Sequence, residues 1–195
     1  MIWTQWSDLK IPNGLTHLPT DGVTPRQEDL SKITFYVPAY MFGAAALKPI
    51  AKMSSLKVIQ SPNAGVDDVI ALRPAGVTLC NAAGVHDAST AELAVGLAIA
   101  ARRGFAQFAK DQSAGKWSHT TYASLTDSKV AIVGHGNIGK TIAGMLAGFE
   151  VEITSFSKSG ADGAVKMDKF DALLPTFDVI ILFVPLNSET HHLMN

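Results

Sequence analysis

The sequence predicts an α/β protein built on parallel sheet, and three observations carry that prediction. Short apolar runs rich in β-branched residues alternate along the chain with segments of helical periodicity. The runs are apolar almost throughout rather than at alternate positions, as in strands covered on both faces. One of them, KVAIV, ends in glycines spaced G-x-G-x-x-G that open directly into a helical stretch, GKTIAGML.

Taken in order, the runs ITFYVPAY, LKVIQSP, VTLCN, KVAIVG, EVEITSFS and DVIILFVP are the expected strands. Helices are expected over residues 42–53, 67–72, 89–103, 138–147 and 168–174. Ser89-x-x-Glu92 has the spacing of a capping box, in which each side chain satisfies a backbone amide of the other residue, so the long helix is expected to start there. Its body, AELAVGLAIAARR, is small or aliphatic almost throughout, which suits close packing on most sides, at a subunit or domain interface or in an ordinary core. The polar stretch GFAQFAKDQSAGKWSHTTYASLTDS then reads as the connection between two domains, expected at residues 1–95 and 96–195.

Composition narrows the function classes. The chain has 195 residues, 47% of them apolar and 17% charged, which is the balance of a folded core. Its formal net charge is −1 and its Lys and Arg residues are scattered, which argues against a nucleic-acid or membrane-surface partner. Cys80 is the lone cysteine, so no intrachain disulfide forms, and MIWTQWSDLK lacks the pattern of a signal peptide. A cytoplasmic location is therefore expected. The small apolar stretch at residues 93–101 is too short to span a bilayer. No Cys or His cluster has metal-ligand spacing, and no hydrolase nucleophile motif occurs.

The glycine turn carries the most chemistry. A strand that ends at Gly134 and turns into a helix leaves the first helical amides unpaired beside the positive end of the helix dipole, a setting that favours an anion. Gly134 permits the tight turn, Gly136 lets a pyrophosphate approach the backbone, and Gly139 lets helix and strand pack closely. With His135, Asn137 and Ile138 between them, these residues form a candidate dinucleotide site; a purely structural turn is the other reading. The end of the following strand is expected to select the cofactor. A carboxylate there would favour NAD, but the sequence reads Phe156-Ser157-Lys158-Ser159, while Glu152 and Asp162 look misplaced. Ser157 and Lys158 are thus expected at the 2′-phosphate of NADP, with NAD still possible and a solvated loop lysine the alternative.

Joined to three other stretches, the turn resembles the D-isomer-specific 2-hydroxyacid dehydrogenase family. These stretches are LKVIQSPNAGVDDV, VTLCNAAGVHDASTAELAVGLAIAARR and DVIILFVPLNSETHHLMN, in family order over roughly residues 55–195. The resemblance implies a flavodoxin-like substrate domain and a Rossmann domain closing over a cleft, in which a hydride passes between the nicotinamide and C2 of a 2-keto or 2-hydroxy acid such as glyoxylate or hydroxypyruvate. It implies that the backbone at Asn63, Ala64, Gly65 and Val66 holds the substrate carboxylate, as turn amides can without a charged side chain. By the same resemblance Thr90 lies near the cofactor, and Val184, Pro185, Asn187, Glu189 and Thr190 lie beside its adenosine and ribose. Each also suits an ordinary turn residue. A homodimer through the long helix is a further expectation.

The resemblance places the family's catalytic Arg, Glu and His beyond Asn195, so no residue of this chain is assigned a catalytic role. His86 reads as pocket wall, and Arg102 and Arg103 suit the helix C-terminus. Since a positioned acid or base contributes roughly 10²–10⁴ in rate, the chain alone is expected to bind cofactor but barely turn over. It reads as the first part of a longer enzyme, with only the first half of the Rossmann domain and DVIILFVP as an edge strand. An inactive dinucleotide-binding, sensing or assembly module is the alternative. Tyr40, Met41 and Phe42 are expected to line the pocket or join the core.

Overall fold

Among the described residues, 1–19 and 27–194 of a computed structural model, the strands form two parallel sheets, each with its own apolar core. The first belongs to a unit comprising Met1–Val85 and Pro185–Asn195. Its strands are β1 (Ile2–Thr4), β2 (His17–Pro19), β3 (Phe35–Tyr36), β4 (Val58–Gln60) and β5 (Thr78–Cys80), in the order β2-β1-β3-β4-β5. That order is the flavodoxin-like one. Phe35 pairs with Ile2 on one side and Val58 on the other, which fixes the central register. The core forms around Trp3, Tyr36, Ile50 and Ile59. Trp3 stacks on Tyr36 at 4.8 Å, and the Tyr36 hydroxyl donates to the Ala46 carbonyl. Burial holds that phenol above its ordinary range.

The expected helix at residues 42–53 is two pieces, α1 (Gly43–Leu47) and a 3₁₀ turn at Lys48–Lys52 with Pro49 near its start. Proline removes an amide that a continuous α-helix would need. A further α-helix of this unit is α2 (Asp67–Ile70). Tyr40, Met41 and Phe42 are exposed, so they take no part in the core; Met41 sits in the left-handed region at φ 67°.

The second unit, His86–Val184, contains α3 (Asp87–Arg102), α4 (Phe105–Ser113), β6 (Lys129–Val133), α5 (Asn137–Leu146), β7 (Glu152–Ser157), β8 (Val165–Lys166), α6 (Phe170–Leu173) and β9 (Val179–Leu182). The parallel sheet runs β8-β7-β6-β9, so the direction of strand addition reverses between β6 and β9. Crevices at the carboxyl ends of strands beside such a reversal are where open α/β sheets bind ligands. Val130, Ala131, Ile132 and Val133 are wholly buried, which explains the continuous apolar run of β6. Ile142 and Leu146 of α5 share a cluster with Ala91, Val95 and Ala98 of α3, while Phe156 meets Phe170 and Phe177 edge-on.

The units divide between Val85 and His86, so α3 lies wholly within the second. The stretch read as a domain connection contains α4, set off from α3 by Gly104 at φ 65°. A side chain at Gly104 would overlap the Tyr122 ring, and Phe108 packs edge-on against that ring at 5.3 Å. Finally, the Ser89–Glu92 capping box does not form: α3 starts at Asp87, its N-cap His86 makes no side-chain cap bond, and the Ser89 hydroxyl donates to the His86 carbonyl. The body of α3 leaves Leu93 and Leu97 exposed. Among the described residues no helix is long and apolar enough to cross a membrane.

Candidate functional site

The glycines of the turn meet distinct steric demands. Gly134 sits at φ 117°, and a Cβ there would lie 1.9 Å from the Phe183 carbonyl oxygen. A Cβ on Gly139 would lie 1.9 Å from the Gly134 carbonyl oxygen, so only glycine lets α5 seat this closely on the turn. Gly136 differs: nothing lies within 4 Å of its ideal Cβ, so the space beside it is open. Gly136 is the N-cap of α5 and no side chain caps that end. The Gly134 amide donates to the Phe156 carbonyl and Lys140 closes the first helical turn onto Gly136. Among the described residues, the amides of His135, Gly136, Asn137, Ile138 and Gly139 have no protein acceptor. A row of unpaired donors around an open space, at the carboxyl end of β6, fits a pyrophosphate.

The strand that follows brings its loop back to this turn. The Ser157 hydroxyl accepts the Gly160 amide at 3.0 Å, and the Ser159 hydroxyl accepts the Ala161 amide at 3.2 Å. The Asp162 carboxylate meets the Lys140 ammonium at 2.8 Å, and its carbonyl lies 3.2 Å from His135 Nε2. Lys140 holds the Asp162 carboxyl below its usual range by hydrogen bond and charge, with His135 adding a smaller effect. His135 Nδ1 is buried and has no partner. Glu152, by contrast, stands at the far end of β7 beside Lys129.

A groove of about 390 Å³ runs between α3 and β9, lined by Thr90, Leu97, Ile181 and Phe183 among others. Phe183 connects it to the glycine turn, because the Phe183 carbonyl is the atom that excludes a side chain at Gly134. The sequence offered no sign of this backbone contact. Arg102 is structural: its guanidinium donates to Ser124 and Ser128 and lies 4.0 Å from Asp178.

In the first unit, the Asn63–Val66 loop follows β4. The Asn63 carbonyl accepts the Ala82 amide, and the Ala64 carbonyl accepts Asn81 Nδ2. The Asn63 amide is taken by the Ser61 hydroxyl, which removes it from the expected set of carboxylate donors. The amides of Ala64, Gly65 and Val66 have no acceptor among the described residues. Anchored carbonyls with unpaired amides make an anion cradle. A pocket of about 200 Å³ beside it is lined by Asn63, Ser61, Pro38, Met41 and Asp68 among others.

Val184 ends the second unit, while residues from Pro185 onward group with the first. There Asn187 Oδ1 accepts the amides of both Glu189 and Thr190, and the Thr190 hydroxyl donates to the Pro185 carbonyl. The polar atoms of Asn187 and Thr190 thus build the turn itself.

Comparison with known proteins gives these features a family. Residues 95–195 match the model of the D-isomer specific 2-hydroxyacid dehydrogenase, NAD binding domain. A hydroxypyruvate reductase of Thermotoga maritima is 31% identical over 147 residues, covering 72% of this chain and 48% of that protein. A D-3-phosphoglycerate dehydrogenase of Archaeoglobus fulgidus is 32% identical over 150 residues, covering 72% of this chain and 28% of its own length. The crystal structure of a D-isomer specific 2-hydroxyacid dehydrogenase family protein from Aeromonas salmonicida superposes with a TM-score of 0.80 at 26% identity, covering 93% of this chain and 60% of that one. The chain therefore spans about half the length, or less, of these curated relatives. With its sheet orders, its glycine turn and the match over residues 95–195, the chain belongs to the D-isomer-specific 2-hydroxyacid dehydrogenase family.

Proposed function

We propose that the protein is an NAD(P)-dependent oxidoreductase interconverting 2-keto acids and D-2-hydroxy acids, with glyoxylate or hydroxypyruvate as the substrate type and NADP(H) as the preferred cofactor. The observation that carries this reading is the row of unpaired amides from His135 to Gly139 around the open side of Gly136. The nicotinamide, when bound, supplies or accepts the hydride. The chain's own residues bind and orient. The amides of the turn hold the pyrophosphate, and Thr90, Val184, Pro185, Asn187, Glu189 and Thr190 border the rest of the cofactor. Ser157 and Lys158 take the 2′-phosphate: the Ser157 oxygen already accepts the Gly160 amide, which leaves its proton to donate. The amides of Ala64, Gly65 and Val66 hold the substrate carboxylate, with Asn63 shaping the loop. The first unit is thus the substrate domain and the second the dinucleotide-binding domain of a cytoplasmic homodimer joined across α3.

The test is NADPH oxidation by the full-length parent enzyme against a panel of 2-keto acids, followed by absorbance. Turnover of a short 2-keto acid, faster with NADPH than with NADH, is the expected result. Tight cofactor binding without turnover on any acid would replace the reductase with a dinucleotide-binding module.

A further inference from the structure

The loop between β7 and β8 carries an acid for which the cofactor reading has no use. Asp162 adopts the left-handed conformation at φ 56° and reaches the glycine turn through two groups. Its carbonyl accepts from His135 Nε2 at 3.2 Å, and its carboxylate meets the Lys140 ammonium at 2.8 Å. A carbonyl can only accept, so Nε2 bears the proton that bonds it, and the buried Nδ1 has no partner. Both contacted residues flank the unpaired amides, one inside the turn and one in the first turn of α5. Ser157 and Lys158 begin the same loop, whose serines are bonded to amides at Gly160 and Ala161. A negative charge therefore stands in the loop that, on the dinucleotide reading, faces the adenosine ribose, and it is ion-paired with Lys140.

We infer that the Lys140–Asp162 ion pair is a specificity determinant for the cofactor, setting how well a ribose 2′-phosphate is accepted relative to an unphosphorylated ribose. The inference rests on reading the glycine turn as a dinucleotide site. NADPH and NADH share a pyrophosphate and differ only in the 2′-phosphate, so their affinity ratio isolates the effect of charge near the ribose. Paired, Asp162 is neutralised and the phosphate is tolerated; unpaired, Asp162 repels it. A pair this exposed, with side chains 48% and 69% accessible, contributes little to folding, so its consequence lies in the field it presents to an anion.

The test compares dissociation constants for NADPH and NADH by fluorescence titration of the full chain at low and high salt. Asp162→Asn removes the charge while keeping a residue that tolerates left-handed backbone. It is expected to raise the NADPH-to-NADH affinity ratio by roughly three- to tenfold at low ionic strength. Lys140→Met leaves the carboxylate unpaired and is expected to lower the ratio by a similar factor, whereas Lys140→Arg keeps it. Both changes are expected to shrink at high salt, where charges are screened over about 3 Å at 1 M. A ratio unmoved by both variants, or moved in one direction by both, overturns the inference while the dinucleotide site stands. If the wild-type chain binds neither cofactor, the dinucleotide reading itself fails and takes the inference with it.

Discussion

Gly134 and Gly136 stand in one turn under opposite constraints, and substitution separates them. At Gly134 a methyl group meets a backbone carbonyl at 1.9 Å in a conformation that side chains rarely adopt. Gly134→Ala is therefore expected to cost on the order of 2–4 kcal/mol of stability, measured by denaturant unfolding. At Gly136 the backbone is extended at φ −81° and the space is open. Gly136→Val is expected to leave the melting temperature unchanged while weakening NADPH binding by roughly tenfold or more, since its side chain fills the pyrophosphate's approach. The tight turn at Gly134 was legible in the glycine spacing and the strand and helix patterns on either side. Asp162 was not: sequence distance from the strand end suggested irrelevance, and only the left-handed turn at Asp162 carries its carboxylate to Lys140.

Among the elements, the β6-α5-β7 unit was readable because a buried strand, a glycine turn and an apolar helix face each leave a distinct pattern. β1 and β2 were not, being three residues each, IWT and HLP, too short to show a period. The start of α3 shows how a local motif loses to its surroundings. Ser89-x-x-Glu92 has capping-box spacing, yet the helix begins at Asp87 and puts both residues inside it. Glu92→Ala is accordingly expected to change stability by less than about 0.5 kcal/mol, where loss of a true cap would cost about 1. The turn after β9 behaves oppositely, since Asn187 Oδ1 holds two amides. Asn187→Ala is expected to speed hydrogen exchange at Glu189 and Thr190 by roughly tenfold, read by NMR, without lowering protection in β6. No change at those amides would mean that the turn is held by other contacts.

For the whole molecule, the sequence conveyed two parallel sheets because each strand run is apolar enough to be covered on both faces. The polar stretch that reads as a linker instead contains α4, packs Tyr122 against Gly104 and Phe108, and is tied to α3 through Arg102. The exposure of Leu93 and Leu97, one helical turn apart on α3, bears on assembly. Replacing both by Glu is expected to convert a dimer to a monomer in light scattering with unchanged circular dichroism; a wild-type monomer would remove that interface. The central claim, that bare amides at the start of α5 bind the dinucleotide pyrophosphate, is tested most directly by titrating the ¹⁵N-labelled chain with NADPH. The expected result is that the largest amide shifts fall on His135 to Lys140. Saturation with those amides unshifted, or shifts concentrated elsewhere, would contradict it.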